Sequence, residues 1–313
     1  MDLKQLESFV RVAELGSFTR AAIALGVQQP LLSRHVRQLE VELRQNLLDR
    51  NGRGVTLTEA GRVLLEHARG ILHQVEVARE DLGAVRGALG GKVSMGLPPS
   101  LSRLITVPLC LAFKAKLPAA QLTLTEGFSL QMYESLRSGR LDMAVLYNPS
   151  SAPELESSSL HEESLMLIGS PAAERAHGLK GRGEVTLAQI ASLPLILPSQ
   201  PNAFRLLIDT AMLKAQLRPQ VVLEVDGLNA ILELVREGLG FAVLPPYTLS
   251  SQGAGNDFRL HPIVKPRLMS QLHLVWSARR QLTPTHQAAI VITQERVSAA
   301  LRGFIQEIGR AHV

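Results

Sequence analysis

The stretch Ser17-Phe-Thr-Arg-Ala-Ala-Ile-Ala-Leu-Gly-Val-Gln-Gln-Pro-Leu-Leu-Ser-Arg-His-Val-Arg-Gln-Leu-Glu40 predicts two short helices joined by a tight turn. The first helix is predicted from about Phe18 to Leu25. Gly26 ends it, because a residue without Cβ accepts the left-handed conformation on which helices often close. Pro30 favours a second helix that begins near it, since its fixed φ suits a first turn. Two helices joined by so short a turn are typical of helix-turn-helix DNA-binding domains.

The predicted second helix has one apolar face and one polar face. Its apolar positions are spaced four, three and four residues apart, which places them in one stripe. They are Leu32, Val36, Leu39 and Leu43. The other face carries forked or short hydrogen-bonding side chains, which match purine edges and phosphate oxygens in a major groove. The candidate DNA-contacting residues here are Gln28, Gln29, Pro30, Ser33, Arg34, Arg37 and Gln38.

A short β-hairpin is predicted after the second helix. Asn51-Gly52 favours a tight hairpin turn, and Val55-Thr56-Leu57 has the composition of a returning strand. Arginines beside such a turn can contact phosphates or enter a narrow minor groove. The hairpin therefore predicts the wing of a winged helix-turn-helix domain. We assign base-edge contact to Gln29, Ser33 and Arg34, and phosphate contact to Arg37, Arg50 and Arg53.

Composition agrees with a DNA-binding protein without deciding the matter. The 313 residues leave room for two or three domains, and the formal net charge is +5. The single cysteine, Cys110, excludes an internal disulfide framework and fits a reducing cytosol. No stretch approaches the roughly 18 apolar residues of a membrane span, and the N-terminus has no signal-peptide pattern. We expect a soluble, cytoplasmic protein with no membrane partner.

A long helix is predicted after the hairpin. From Thr58, a good N-cap, through Gly87 no proline interrupts the chain, and apolar residues recur at alternating steps of four and three. These positions are Leu64, Ala68, Ile71, Val75, Ala78, Leu82 and Val85. The helix could pack on its own domain, but a pair of DNA-reading helices needs a dimer to read two half-sites. We favour a dimerising rod of about 29 residues.

These residues resemble the N-terminal domain of LysR-type transcriptional regulators. The resemblance lies in Phe18 to Leu39, Glu40-Val-Glu-Leu43, Leu48-Asp-Arg50, the wing Gly52 to Leu57 and Thr58-Glu-Ala-Gly61, and it extends more loosely over nearly all 313 residues. Arg44 stands where the family usually has Gly, and Leu48 where it usually has Phe. The resemblance implies a dimeric or tetrameric regulator of transcription that binds double-stranded DNA and acts on RNA polymerase.

The chain beyond a predicted hinge at Gly87-Ala-Leu-Gly-Gly-Lys92 alternates strands with helices. Strands are predicted at 92–97, 121–125 and 141–146, with helices at 101–116 and 130–138. A related unit has helices at 185–191, 203–215 and 228–237, and strands at 195–197, 221–225 and 240–244. This order predicts parallel sheets with helices on their faces, in two similar α/β subdomains.

The resemblance implies that these subdomains form a fold like that of periplasmic binding proteins, with two crossing strands. The candidates for the crossing strands are residues 160–168 and 271–277. The chain is accordingly divided into a winged helix-turn-helix domain at 1–58, a dimerising helix and hinge at 59–90, and an effector-binding domain at 91–313. Subdomain I takes about 91–161 and 267–313, and subdomain II about 162–266.

A cleft between two such subdomains is the predicted effector site. Helix N-termini that face it would favour an anion such as a carboxylate or sulfonate. The candidate residues, most of them carried over from the family's motifs, are Ser100, Ser129, Tyr147, Ser199, Asn202 and Phe204. Helix capping is the alternative role for each Ser and Asn. Dicarboxylate-binding members carry Arg where this chain has Tyr147, so a singly charged ligand is expected. Phe204, Phe241 and Tyr247 favour a ring-bearing one, although such aromatics are often core residues.

An enzyme or a solute-binding protein is the competing class. No Gly-x-Ser-x-Gly nucleophile elbow occurs. His161-Glu162-Glu163 lacks the second histidine of a zinc protease motif, and Gly238-Leu-Gly240 fails the dinucleotide fingerprint at its third position. We therefore expect no catalytic residues, no metal and no cofactor. The predicted wing and recognition helix argue against a solute-binding protein.

Overall fold

The computed structural model describes residues 1–51, 54–84, 89–179, 183–249, 257–278 and 282–311, in two units. The first unit holds the described residues up to Ala84, and the second holds nearly everything from Leu89 onward. The elements of the first unit are α1 (Leu3–Leu15), α2 (Phe18–Leu25), α3 (Gln29–Leu43), β1 (Leu48–Asn51), β2 (Gly54–Leu57) and α4 (Glu59–Ala84).

The helix-turn-helix is confirmed with its predicted bounds almost unchanged. Gly26 closes α2 at φ 65°, and its N–H donates to carbonyls of the last turn. Helix α3 begins one residue before Pro30. Leu32, Val36 and Leu39 are buried as predicted. The prediction for Leu43 was wrong: it is 36% exposed, because α3 ends there, with Arg44 in the left-handed conformation at φ 53°.

Helix α1 was not predicted, although the sequence carries its signal. Asp2 and Gln5 form a capping box in which each side chain accepts from the other residue's backbone N–H. Leu6, Phe9 and Val12 then follow at helical spacing, and all three are buried. They pack in one core with α2, α3 and the start of α4.

The hairpin is confirmed as an antiparallel pair. Its register runs from Leu48 opposite Leu57 to Asn51 opposite Gly54, which leaves a connection of two residues. Thr56 lies opposite Asp49 within this ladder. Arg53 and the side chain of Arg50 lie outside the described residues, so their predicted phosphate contacts stay predictions.

Helix α4 divides into a buried half and an exposed half. Thr58 caps it by accepting from the N–H of Gly61 at 2.9 Å. Ala68 is fully buried in the first unit's core, and Arg69 forms an ion pair with Glu14 of α1 at 2.8 Å. Leu82, by contrast, is 70% exposed. The first half of the predicted seam therefore packs on its own domain, and Val85 lies outside the described residues.

The second unit contains the remaining elements. They are β3 (Gly90–Leu97), α5 (Pro99–Lys116), β4 (Ala119–Glu126), α6 (Ser129–Arg137), β5 (Met143–Tyr147), β6 (Leu155–Ser164), β7 (Met166–Gly169), α7 (Pro171–Ala176), β8 (Val185–Thr186), α8 (Leu187–Ala191), β9 (Pro194–Leu197), α9 (Ala203–Lys214), β10 (Gln220–Glu224), α10 (Leu228–Arg236), β11 (Ala242–Leu244), a 3-10 turn (Pro246–Leu249), β12 (Arg259–Val264), β13 (Met269–Ser277) and α11 (Pro284–Ala311). The hinge prediction was wrong for Gly90, Gly91 and Lys92, because these three residues belong to β3 and pair with β4.

The second unit has two subdomains, each built on a sheet that is mixed rather than wholly parallel. The first sheet has the order β4-β3-β5-β13-β6. Its first three strands are parallel, and β13 runs antiparallel to β5 and β6. The main sheet of the second subdomain has the order β11-β7-β12-β8, with β7 antiparallel to β11 and β12, and β9 and β10 form a separate parallel pair. Helix α11 returns to pack on α5 and β3 of the first subdomain.

The chain crosses between the two sheets at two places that lie side by side. Residues 160–168 change sheets at Leu165, whose N–H donates to the carbonyl of Leu268 at 2.8 Å. The second crossing lies at 265–268, between β12 and β13. The predicted crossing strand 271–277 therefore lies entirely within the first sheet, because the crossing comes before it.

Candidate functional site

The exposed face of α3 brings the predicted DNA-contacting side chains together. Gln28, Gln29, Pro30, Arg34, Arg37 and Gln38 are exposed, and Ser33 is half-buried. Gln28 makes no side-chain cap to α3, so it does not occupy the first N–H groups of this helix. A shallow concavity, lined in part by Gln28, Pro30 and Arg34, lies at the same end. The arrangement presents amide, hydroxyl and guanidinium groups from one helix end.

Two contacts fix how α3 is held. The Ser8 hydroxyl of α1 lies 2.9 Å from Nδ1 of His35, on the inner side of α3. The Glu40 carboxylate accepts from the N–H groups of Leu47 and Leu48 at 3.0 and 3.3 Å, and so fixes the start of the hairpin against α3. No local sequence pattern predicts this contact between Ser8 and His35, because it joins positions 27 residues apart.

A narrow cavity of about 40 Å³ lies between the two subdomains of the second unit. Five of the six predicted effector residues line it: Ser100, Ser129, Tyr147, Asn202 and Phe204. The N-termini of α5, α6, α9 and α10 all reach its wall. Ser199 does not line the cavity; its hydroxyl and its N–H donate to the Asp226 carboxylate at 2.7 and 2.9 Å.

Several of the lining residues also have structural roles. The side-chain oxygen of Asn202 accepts from the N–H groups of Phe204 and Arg205, so the capping alternative holds for this oxygen. The Ser129 hydroxyl accepts from the N–H of Tyr147 at 3.1 Å and thereby ties α6 to β5. The rings of Tyr147 and Phe204 meet with centroids 4.5 Å apart, which gives the cavity an aromatic wall.

The charge around the cavity is low. Among the described residues that line it, none is a lysine, arginine or histidine, and Asp226 is the acidic one. Hydrogen bonds from Ser199 lower the pKa of Asp226 below its ordinary value, so this carboxylate is ionised at neutral pH. Helices α5, α6 and α10 have no side-chain caps, which leaves their dipoles as the positive contribution. Arg103 of α5 lines a neighbouring pocket, where its guanidinium group is hydrogen-bonded to the side-chain oxygen of Asn229 of α10.

A chain of buried hydroxyl groups leads from the cavity to a carboxyl group on β6. Ser100 Oγ lies 2.8 Å from Tyr147 Oη, which is hydrogen-bonded to Tyr247 Oη. Tyr247 Oη lies 3.0 Å from Glu163 Oε1. Burial raises the pKa of Glu163 to about 8, and burial also raises the pKa values of Tyr147 and Tyr247 well above their ordinary range. All four groups are therefore neutral at pH 7.

The sequence did not predict the contact between Tyr247 and Glu163. In the sequence Glu163 belongs only to an incomplete metal motif, and Tyr247 is only an aromatic residue expected near the cleft. The two residues are 84 positions apart, and no local pattern joins them. Within the residues that the structure describes, no group of three or more His, Cys, Asp or Glu side chains is placed to hold a metal ion. Over the same residues, no helix is both long and apolar enough to cross a membrane.

Comparison with known proteins gives matches over nearly the whole chain. Residues 3–62 match the family model of bacterial regulatory helix-turn-helix proteins of the lysR family, and residues 86–298 match the LysR substrate binding domain. The nitrogen assimilation regulatory protein nac of Escherichia coli K12 is 36% identical over 301 residues, which are 96% of each chain. The transcriptional regulator BbuR of Bordetella bronchiseptica is 32% identical over 253 residues, 81% of this chain and 75% of BbuR.

Solved structures have the same architecture. A full-length OxyR variant from Pseudomonas aeruginosa superimposes with a TM-score of 0.76 at 23% identity, over 95% of this chain and 94% of that one. Full-length CbnR in complex with its target DNA gives a TM-score of 0.63 at 25% identity, over 96% of this chain and all of that one.

Proposed function

The chain belongs to the LysR family of DNA-binding transcriptional regulators with an effector-binding domain, and we propose that its effector is a small, singly charged anion that carries an aromatic ring. The effector binds in the cavity between the subdomains, and α3 with its hairpin reads operator DNA. The protein acts in the cytoplasm as a dimer or tetramer. Effector binding changes how the subdomains close, which changes DNA bending and the recruitment of RNA polymerase.

One observation carries the effector proposal: three helix N-termini without side-chain caps meet at a cavity that no cationic side chain lines among the described residues. Helix dipoles favour an anion at such a place. A dianion is disfavoured, because the ionised Asp226 lies in the same wall. The neighbouring rings of Tyr147 and Phe204 offer an apolar surface on which a flat ligand can pack.

The DNA-binding proposal assigns separate roles to residues of one helix. Gln29, Ser33 and Arg34 lie toward the N-terminal end of α3, which is the end that reaches base edges in helix-turn-helix complexes. Arg37 is exposed one turn further on and is assigned to a phosphate. Arg50 and Arg53 of the hairpin are assigned to phosphates as well.

The exposed half of α4 supports self-association. Ile71 and Leu82 are 38% and 70% exposed, on a helix whose first half is already buried in its own domain. A second copy of the same helix has the complementary apolar surface that these side chains require. Two copies joined in this way bring two α3 helices to one operator.

Replacement of Ser100 by Ala and of Asn202 by Ala tests the effector site. Both side chains line the cavity, so each replacement is expected to abolish or reduce the shift in melting temperature that a bound carboxylate produces. A panel of aromatic and aliphatic monocarboxylates is screened by thermal shift, and operator binding is followed by electrophoretic mobility shift. Basal operator binding stays unchanged in both variants.

Ser199→Ala is the matched control, because Ser199 lies next to the cavity without lining it. Its ligand-induced shift is expected to equal that of the wild type. An unchanged response in Ser100→Ala and Asn202→Ala would remove these two residues from the site. A panel in which only dianions or cations stabilise the protein would refute the proposed ligand class.

A further inference from the structure

The buried chain Ser100–Tyr147–Tyr247–Glu163 can be treated as a row of hydrogen-bond donors and acceptors. It contains three hydrogen bonds between four side chains. Each hydroxyl group has one proton to donate and oxygen lone pairs with which to accept. Each bond uses one proton, so the three bonds all run in the same direction when each hydroxyl group accepts from one neighbour and donates to the other.

The number of protons on Glu163 decides that direction. When Glu163 is ionised, the three hydroxyl protons fill the three bonds and all point toward the carboxylate. Ser100 then has only lone pairs to offer the cavity. When Glu163 carries a proton on Oε1, it donates to Tyr247, Tyr247 donates to Tyr147, and Tyr147 donates to Ser100. The proton of Ser100 is then free to point into the cavity.

We propose that Glu163 determines the ligand specificity of the cavity by setting this direction, so that Ser100 donates to an acceptor group such as a carboxylate when Glu163 is protonated. The proton that makes the difference enters Glu163 from solvent, and no other bond forms or breaks. Glu163 is a positioning residue, since it acts through Tyr247 and Tyr147 without lining the cavity. The proposal rests on the proposed function and adds the group that makes its site selective for ligands that accept a hydrogen bond from Ser100.

The surroundings of Glu163 favour the protonated form. Glu163 is 7% exposed, and its buried Oε2 has no hydrogen-bond partner among the residues that the structure describes. A proton on Oε2 would have no acceptor, which is unfavourable in a buried site, so Oε1 is the favoured position. Among the described residues, no lysine, arginine or histidine forms an ion pair with this carboxyl group. An isolated carboxyl group in such a place keeps its proton.

The groups that face Glu163 come from several elements. The neutral Tyr147 and Tyr247 come from β5 and the 3-10 turn. Ser270 lies opposite Glu163 on β13 and is fully buried. On β6 itself burial lowers the pKa of His161, so this imidazole is neutral at pH 7. The proton on Glu163 is therefore the one that changes near pH 8.

Infrared spectroscopy tests the protonation of Glu163 without any ligand. The wild type and Glu162→Gln are expected to show the carbonyl band of a neutral carboxylic acid at pH 7, and to lose it above about pH 8. Glu163→Gln lacks this band. Glu162 is the matched control, because it is exposed on the same strand. Absence of the band from the wild type at pH 7 overturns the proposal, whether or not any ligand binds.

Calorimetry with benzoate tests the direction of the hydrogen bonds. The affinity of the wild type for benzoate is expected to be constant below pH 7. Well above the pKa of Glu163 it should fall about tenfold for each pH unit, because the fraction of protein molecules with a protonated Glu163 falls by the same factor. Glu163→Gln is expected to bind benzoate with the same affinity at every pH, because an amide can donate to Tyr247 and cannot ionise. Glu162→Gln behaves as the wild type. A wild-type affinity that does not change between pH 6 and 9 overturns the proposal.

Acetophenone separates hydrogen-bond direction from charge repulsion. It is neutral and can only accept, so its affinity, followed by ligand-observed NMR, is expected to fall in parallel with that of benzoate. A fall for benzoate alone would show simple repulsion by the ionised Glu163 and overturn the proposal. If benzoate binds at no pH, the proposed ligand class fails, and the infrared band still decides the state of Glu163. If Glu163→Gln does not fold, Tyr247→Phe interrupts the same chain and is expected to weaken benzoate binding at pH 7.

Discussion

Stability should depend on pH through Glu163, and the replacement Glu163→Gln should remove that dependence. The folded state holds the pKa of this carboxyl group at about 8, against an ordinary value of 4.5. The folded protein therefore binds the proton more tightly than the unfolded chain does. The resulting stability is fully present below about pH 4.5 and is lost progressively as the pH rises to about 8.

The size of the effect follows from the two pKa values. They differ by 8 − 4.5 = 3.5, and each unit corresponds to about 1.4 kcal/mol. The free energy of unfolding should fall by at most about 5 kcal/mol across this pH range, with a slope of about 1.4 kcal/mol per pH unit in its middle. This is comparable with the whole stability of many domains, so the effect is well within reach of measurement.

The assay is urea unfolding at a series of pH values, followed by tryptophan fluorescence. Trp276 is the single tryptophan of the chain and lies in β13, so the signal reports on the second unit alone. The wild type and Glu162→Gln should lose stability together between about pH 5 and 8, while Glu163→Gln should lose much less. Parallel curves for the wild type and Glu163→Gln would refute the reasoning, because Glu163 would then titrate alike in the folded and unfolded states.

Three further replacements test the first unit. Arg34→Ala should cost about 1 to 3 kcal/mol on the specific operator and relax its sequence preference in mobility-shift titrations, whereas equal weakening on random DNA would exclude base contact. Leu82→Glu should shift the protein toward the monomer in light scattering without lowering its helix content, and an unchanged dimer would show that this surface is not the interface. Gly61→Ala should destabilise the first unit by about 3 kcal/mol in thermal unfolding, because its Cβ would lie 2.0 Å from the carbonyl oxygen of Leu47. Gly70→Ala is the control on the same helix, because a Cβ there meets no described atom within 4 Å, and equal destabilisation by both would contradict the reasoning.

The helices and strands whose bounds could be predicted from the sequence are those whose capping, terminating and turn residues lie close together in the chain. The bounds of α2 follow from Ser17, whose hydroxyl accepts from the N–H of Arg20, and from Gly26 nine residues later. The hairpin follows from the sequence Asn51-Gly52, which favours a tight turn, and from its flanking strands, although Asn51 itself belongs to β1 and pairs with Gly54. The error at Leu43 has a local cause as well: helical spacing continues through this residue, but the helix ends at Arg44 in a left-handed conformation that glycine more commonly adopts.

Errors in the second unit arose where strand partners are distant in sequence. Alternating strands and helices correctly indicated two α/β subdomains, yet the antiparallel position of β13 between β5 and β6 has no local signal. The packing partner of the first half of α4 has no local signal either. Its regular apolar spacing fits a partner helix as well as its own domain, and only the burial of Ala68 and the ion pair between Arg69 and Glu14 distinguish the two.

The sequence by itself determined the family and the helix-turn-helix, because both depend on residue types at short, fixed spacings, and the family resemblance pointed to five of the residues that line the cavity. Only the tertiary structure decided that Ser199 turns away to Asp226 and that Ser100, Tyr147, Tyr247 and Glu163 form one buried chain. Successive contacts in that chain join positions 47, 100 and 84 residues apart. The proton affinity of a carboxyl group depends on the water that the fold removes from around it, and no spacing in the sequence records that loss.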